Sequence, residues 1–309
     1  MRSQRIVILL HEDDDFYART RYLLRPIVDV WTAQGHAVEM VRGADRFVPA
    51  DVVIPHLDLT VTPERYRAWL DRYPLVVNRH LTDISKSRIS AQLVGQRDSW
   101  RGPVIVKTDR NYGGKPEARL GGPTSLAARP ARSLWRRAIS RLGLGSQAPS
   151  PWGLVETLEV GDYPVFDTLQ AVPPDVFRNP SLIVEKFLPE MEGEDYVLRY
   201  CYIFGDAAAN IVMRSRERVV KAANAHSCVQ VEPPPQLRAL WRARGIDYGK
   251  IDYVMRDGEI VLFDVNKTPG SGALVDRALD DAFAQRLAAG LEAFIRGGVA
   301  ASAQSGRAH

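Results

Sequence analysis

Residues 249–270 read GKIDYVMRDGEIVLFDVNKTPG, and the fold turns on how this stretch pairs with itself. Ile251–Met255 and Ile260–Val265 are apolar-rich strand candidates. Asp257-Gly258 between them is a strong short-range turn signal, so a β-hairpin is predicted. Side chains alternate faces along a strand, so Asp264 and Asn266 point one way while Phe263 and Val265 point toward a core. Asp252 joins them only if the register allows it. A strict two-residue turn pairs Asp252 with Phe263 and turns it away, whereas a longer loop over 257–259 or a bulge brings it opposite Asp264. Two carboxylates and an amide oxygen on one face are hard ligands, suited to magnesium that also keeps water and phosphate oxygens in its shell. The plain alternative is an exposed hairpin with a solvated polar face.

A chain of 309 residues can bury a large core and is long enough for two or three units of structure. With 45% hydrophobic and 25% charged residues it reads as globular. The start, MRSQRIVILLHEDDD, has five consecutive apolar residues, Ile6–Leu10, too few for a signal peptide or membrane span and suited to a first strand. A soluble protein without a membrane partner is expected. The two cysteines, Cys201 and Cys228, make no disulfide framework and no C-x-x-C motif, so a reducing cytoplasm is the simplest compartment. Much of the basic excess behind the net charge of +4 lies in one segment, at Arg119, Arg129, Arg132, Arg136, Arg137 and Arg141. No recognised nucleic-acid module accompanies it, so a nucleic-acid partner is not expected.

The first 80 residues alternate strand and helix: strands at Arg5–Leu10, Ala37–Val41, Val52–Pro55 and Leu75–Asn78, helices at Tyr17–Gln34 and Pro63–Asp71. This is the mark of a parallel α/β layer. The acidic run Glu12–Asp15 between the first strand and helix either favours a helix N-terminus or meets a substrate. Ile84–Val94 is predicted as a helix, with Lys86 near its start. The strand Val104–Lys107 runs into Asp109-Arg110-Asn111-Tyr112-Gly113-Gly114. A lysine-ended strand entering a double glycine can bring N–H groups and an ammonium onto phosphates, or simply form a turn. Residues 115–151, rich in Gly, Pro, Ser, Ala and Arg, read as an insertion or lid with a helix around Ser133–Leu142. Strands at Leu182–Phe187, Tyr196–Phe204 and Ala208–Met213 suggest an antiparallel sheet. Ala282–Ile295 is a closing helix and 297–309 a disordered tail. The expected domains are therefore 1–80, 81–188 and 189–296.

Ser85-Lys86-Ser87-Arg88, Pro103–Lys107, Gly113-Gly114, Val184-Glu185-Lys186-Phe187-Leu188, Asp195–Arg199, and Asp252 with Asp264-Val265-Asn266 and Pro269-Gly270 follow one another in an order that resembles the ATP-grasp superfamily. That superfamily includes D-alanine–D-alanine ligases, glutathione synthetases and the ligases that add glutamate to ribosomal proteins. The resemblance covers roughly residues 76–296. It implies an α/β (α+β) protein with an N-terminal parallel layer and two α+β subdomains that clamp ATP, the second carrying the metal hairpin.

Residue by residue, the resemblance implies that Lys86 and Lys107 contact the nucleotide phosphates, as compact, strongly hydrated charges can. It implies that Lys186 and Leu188 pair with adenine through backbone groups, that Glu185 supports the adenine amino group, and that Phe187 packs inward. Glu194 or Asp195 would accept the ribose hydroxyls. Arg199 would steady the transferred phosphate or the acyl substrate, with Lys221 and Asn224 as a basic and amide pair; Arg214, Arg216 and Arg218 are nearby rivals. Asp252, Asp264 and Asn266 would hold one or two magnesium ions. The family usually has Glu at the position of Asp264, so a second metal is in doubt. Lys267, directly after Asn266, is particular to this chain and could meet a phosphate, an acidic substrate or water.

The implied activity is a carboxylate–amine ligase: the ATP γ-phosphate activates a carboxylate as an acylphosphate, which an amine, or less often a thiol, attacks. No nucleophilic side chain is required, and no Ser, Cys or His constellation suggests one; only His226, near Lys221, is held in reserve. A phosphotransferase acting on a small molecule and a nucleotide-binding regulatory protein are the alternatives. Small-molecule carboxylate and amine substrates are the expected partners, and a homodimer is left open.

Overall fold

The computed structural model describes residues 2–120, 151–159, 163–270 and 282–305. Two compact units are present, one made of Met1–Ile84 with Leu188–His309 and the other of Ser85–Phe187. The expected helix around Ser133–Leu142 and most of the basic insertion lie outside the described residues.

The chain begins with β1 (Arg5–Leu10), α1 (Leu24–Ala33), β2 (Ala37–Arg42), β3 (Val52–Pro55) and α2 (Glu64–Leu70). The three strands form a parallel sheet in the order β2-β1-β3. The apolar run of β1 feeds both faces of that sheet. Ile6, Ile8 and Leu10 join the core containing Leu24, Ile27 and Trp31 of α1, while Val7 and Leu9 join Tyr66, Trp69 and Leu70 of α2. A central parallel strand covered on both faces needs this unbroken apolar run.

The helix predicted from Tyr17 starts only at Leu24, because Pro26 has no N–H and so belongs in a first turn. The acidic run does not cap that helix: Asp14 instead accepts the N–H groups of Phe16 and Tyr17. The strand predicted at Leu75–Asn78 is a single bridge from Val76 to Val53. It ends at Asn78, which has φ 57° and whose side-chain oxygen accepts the N–H groups of Asp247 and Tyr248.

The second unit opens with α3 (Lys86–Ile89), a single turn where a helix through Val94 was predicted. Ser90 is extended, and the following residues run beside β6, with the Val94 N–H donating to Val184 and the Lys186 N–H to Gln92. Then come β4 (Val104–Thr108), α4 (Lys115–Leu120), β5 (Val165–Phe166), α5 (Pro174–Arg178) and β6 (Leu182–Lys186). The strands form an antiparallel sheet, β5-β4-β6. Its core comprises Val104, Val106, Val176, Leu182 and Val184.

Back in the first unit, β7 (Glu190–Glu192), β8 (Asp195–Phe204), β9 (Ala207–Ser215), β10 (Ser227–Val231), α6 (Pro235–Ala243), β11 (Tyr248–Arg256) and β12 (Glu259–Asn266) precede α7 (Phe283–Ala288) and α8 (Gly290–Ser305). The antiparallel sheet has the order β10-β9-β8-β11-β12, with β7 added on β8. Ile6, Ile8 and Trp31 share one core with Tyr202, Phe204, Ile211 and Leu287. The N-terminal layer and the C-terminal sheet share this core within the first unit.

The closing helix is broken at Ala289. Gly290 and Gly205 meet backbone to backbone; a Cβ on Gly205 would lie 2.5 Å from the Gly290 carbonyl oxygen. α8 also continues to Ser305, so the tail expected from residue 297 is helical up to that point.

Candidate active site

The hairpin resolves the register question by combining both options. Arg256 pairs with Glu259, leaving the two-residue turn Asp257-Gly258 with φ of 52° and 82°, the positive angles that a type I′ hairpin turn requires. A bulge follows: Tyr253 pairs with Leu262 and Asp252 with Asp264, so Phe263 is the extra residue. Phe263 is consequently half-buried rather than a core residue, whereas Val265 is fully buried. Asp252, Asp264 and Asn266 thus share one face. Gly249 allows the close approach at its end, since a Cβ there would lie 2.6 Å from the Asn266 carbonyl oxygen.

Lys250 is the residue the sequence reading missed. It pairs with Asn266 across the hairpin, and its Nζ lies 2.9 Å from Asp252 Oδ1 and 3.7 Å from the centre of the Tyr200 ring. Its spacing of two from Asp252 on a strand was the available signal. Burial works to lower its pKa, but Asp252 and its neighbours outweigh that, and the ammonium is held raised. Burial, then Asp252 and Asp264, pushes the Tyr200 phenol well above its usual range. Opposed carboxylates already drawing an ammonium toward them are a donor set that fits a hard divalent cation. Asn266 Oδ1 accepts from the Thr268 N–H at 2.8 Å, which fixes the amide. Thr268 Oγ1 in turn donates to Asp58 at 2.8 Å, so the loop is held by a buried carboxylate.

Arg199 is not brought to this face. Tyr200 pairs with Asp252 and Arg199 with Tyr253, so strand alternation sends Arg199 to the opposite side of the sheet. There its Nε donates to Glu190 Oε2 at 2.9 Å, and Glu190 also accepts the Met255 N–H at 2.7 Å. Its geometry is that of a strut between β7, β8 and β11.

Of the two ribose candidates, Glu194 is exposed and paired with Arg216. Asp195 is mostly buried, with Oδ1 3.0 Å from both Arg216 Nε and His226 Nε2. Asn224 organises its own loop: its Oδ1 accepts the Lys221 N–H at 2.8 Å, and its Nδ2 donates to Val219 at 2.9 Å. Lys221 is half-buried at the base of that loop.

In the second unit Lys107 and Glu185 lie on adjacent strands, with Ile105 opposite Glu185. Lys107 Nζ is 2.6 Å from Glu185 Oε2, and the carboxylate is fully buried. Lys86 is buried as well, its Nζ donating to the Arg110 carbonyl at 3.1 Å. Asp109 fastens the start of α3 to the end of β4 by accepting from Ser87 N and Oγ. Tyr112, Gly113 and Gly114 all have positive φ. A Cβ on Gly114 would lie 2.9 Å from the Glu156 carbonyl oxygen, so this position needs glycine. The Lys186 N–H is committed to Gln92 and that of Phe187 to Pro103, so what Lys186 could offer a base edge is its carbonyl. Phe187 is half-buried, not packed fully inward. The unit boundary falls between Phe187 and Leu188.

No family model matches the chain, and no curated protein does. Solved structures do. The chain is similar to D-alanine–D-alanine ligase from Bacillus anthracis, with 12% identity, 96% of this chain and 99% of that chain covered, and a TM-score of 0.45. It is similar to the ATP-grasp ligase PsnB solved with its precursor peptide PsnA2 and AMPPNP, at 13% identity, 95% and 99% coverage, and a TM-score of 0.45. A RimK domain ATP-grasp protein from Sphaerobacter thermophilus gives 12% identity, 96% and 98% coverage, and a TM-score of 0.42. Among the described residues no helix is long and apolar enough to cross a membrane.

Proposed function

We propose that this chain is a Mg-ATP-dependent ligase of the ATP-grasp type, activating a carboxylate as an acylphosphate for attack by an amine or, less often, a thiol. The observation that carries this is the shared face of Asp252, Asp264 and Asn266, completed by a bulge and lined by Lys250. Magnesium held by these three oxygen donors would neutralise triphosphate charge. In the other unit, Lys86 and Lys107 supply ammonium groups for the phosphates, and Glu185 keeps Lys107 in place. The Lys186 carbonyl and Leu188 are assigned to the adenine edge, and the Gly113-Gly114 loop to the phosphates. Asp195, fixed by Arg216 and His226, is the better-placed ribose acceptor than Glu194. Lys221, presented by the Asn224 loop, and Lys250 are the cations in this unit assigned to the transferred phosphoryl group, and Arg199 is assigned a positioning role through Glu190. A small molecule or a peptide could supply the amine.

The test is phosphate and ADP release by the purified protein with Mg-ATP against pools of amino acids and small carboxylates, with Asp264→Ala and Asn266→Ala as controls. Release that needs both a carboxylate and an amine, and vanishes in both variants, supports the ligase. ADP with a phosphorylated acceptor and no free phosphate would make the protein a phosphotransferase. Tight nucleotide binding without turnover would make it a regulatory nucleotide binder.

A further inference from the structure

Lys250 already fills the role of a cation at the hairpin face. Its Nζ straddles the Asp252 carboxylate, 2.9 Å from Oδ1 and 3.1 Å from Oδ2, and lies 3.7 Å from the centre of the Tyr200 ring. The Lys250 and Asp252 side chains are 16% and 17% exposed, so water screens the pair weakly. Strand pairing explains the grouping: Lys250 stands opposite Asn266 and Tyr202, and Asp252 stands opposite Asp264 and Tyr200. The carboxylates facing the ammonium are Asp252 first and then Asp264. Arg199 is on the other face of the sheet, tied to Glu190. One ammonium set against the two carboxylates leaves this group of three with one net negative charge.

From this arrangement we infer that Lys250 is a placeholder cation: it holds Asp252 against bare divalent ions, and it releases the carboxylate when nucleotide phosphates offer the ammonium a new anionic partner. A bare ion must displace an ammonium that makes two charge-assisted contacts in a weakly screened site, which separates a charge from its partner. A metal–nucleotide complex brings its own oxygens, so the same displacement ends with the ammonium paired again. Metal and nucleotide therefore enter together. The Tyr200 ring face attracts a cation and keeps Lys250 at the site during the exchange. Lysine suits this role, being a compact charge on a flexible stem, whereas a guanidinium would grip the carboxylate with a rigid fork. Tyr200 is thus a positioning residue that acts through Lys250. The metal half of the inference stands on the hairpin face alone, and the nucleotide half rests on the function proposed above.

The experiment measures two affinities on the full-length protein: Mn²⁺ alone, from the electron paramagnetic resonance signal of the free ion, and the Mn²⁺ complex of AMPPNP, by isothermal titration. Wild type is compared with Lys250→Met, Lys250→Arg, Tyr200→Phe and Tyr200→Leu. The expected result is a change of opposite sign in the two arms. Lys250→Met binds bare Mn²⁺ about tenfold or more tightly than wild type and the nucleotide complex about tenfold or more weakly. Adding Asp264→Ala to Lys250→Met removes the gain for the bare ion, which locates it at the hairpin. Lys250→Arg excludes the bare ion as wild type does, Tyr200→Phe follows wild type, and Tyr200→Leu falls between wild type and Lys250→Met in both arms. Equal affinity for bare Mn²⁺ in wild type and Lys250→Met overturns the proposal. So does a gain that survives Asp264→Ala, or a change of the same sign in both arms. If Lys250→Met does not fold, as judged by its melting curve, Lys250→Gln and Tyr200→Leu carry the same comparison. Failure of the nucleotide complex to bind wild type would remove the ligase, and the bare-ion arm would then decide the placeholder by itself.

Discussion

Asp252 and Asp264 stand directly opposite each other across the β11–β12 hairpin because Phe263 is left out of the ladder. Lys250 lies nearest Asp252, with Nζ 2.9 Å from its Oδ1, and the Asp264 charge also helps hold the ammonium. The two carboxylates should therefore respond differently to neutralisation. Asp264→Asn leaves the close Lys250–Asp252 pair in place, so the metal-free protein should lose less stability than with Asp252→Asn, while Mg-ATP turnover falls by about 100-fold or more. Asp252→Asn strands the Lys250 ammonium and should cost about 1–3 kcal/mol of stability as well. Paired denaturation and steady-state assays check this; equal stability losses would refute the asymmetry.

Gly249→Ala tests the backbone contact that seats the metal loop. With the Asn266 carbonyl oxygen 2.6 Å from the new Cβ, the end of β12 must move. The expected result is a loss of about 1–3 kcal/mol and weakened Mg-ATP affinity, read by fluorescence of a labelled nucleotide. Wild-type affinity in this variant would show that the strand end does not position the asparagine.

Lys107→Met should leave the Glu185 carboxylate buried without its cation and cost about 3–5 kcal/mol. Adding Glu185→Gln should restore much of that stability but not nucleotide binding. Urea unfolding and calorimetry on the single and double variants separate the two roles. Recovered binding in the double variant would mean that Lys107 serves the fold alone.

His56 supplies a pH prediction. The ring is fully buried between Tyr17 and Tyr22, with centroids 5.2 and 4.5 Å away, and neither nitrogen has a hydrogen-bond partner among the described residues. Burial pushes its pKa down to about 4, from 6.5. The unfolded chain thus takes up a proton that the folded chain refuses, so this stabilising share is present above pH 6.5 and is lost as pH falls toward 4. The slope integrates to about 3 kcal/mol. His56→Phe keeps the ring packing and should flatten that part of the stability profile; an unchanged profile would assign the acid sensitivity elsewhere.

Much of the scaffold was legible in the chain. The Arg5–Leu10 and Val52–Pro55 strands came out with their expected bounds, because an apolar run between turn signals leaves a central parallel strand little choice. The Asp257-Gly258 turn is local chemistry, since positive φ at two successive residues selects those residue types. β10 (Ser227–Val231) was not foreseen, because its polar alternation is short and its pairing with β9 is tertiary. The 84–94 segment misled because its periodicity suggested a helix, while its backbone pairs with β6 instead.

The sequence by itself determined the alternation of elements, the hairpin and the set of oxygen donors and lysines available to a site, because propensity, turn chemistry and face alternation act over a few residues. Only the tertiary structure decided which of those side chains meet. A bulge at Phe263 turned Asp252 toward Asp264, pairing of β11 with β8 sent Arg199 to the other face, and packing of the loop after β12 buried Lys267 beside Thr62. Each outcome depends on register or on contacts between segments distant in sequence, where a shift of one residue reverses the face and no local signal records it.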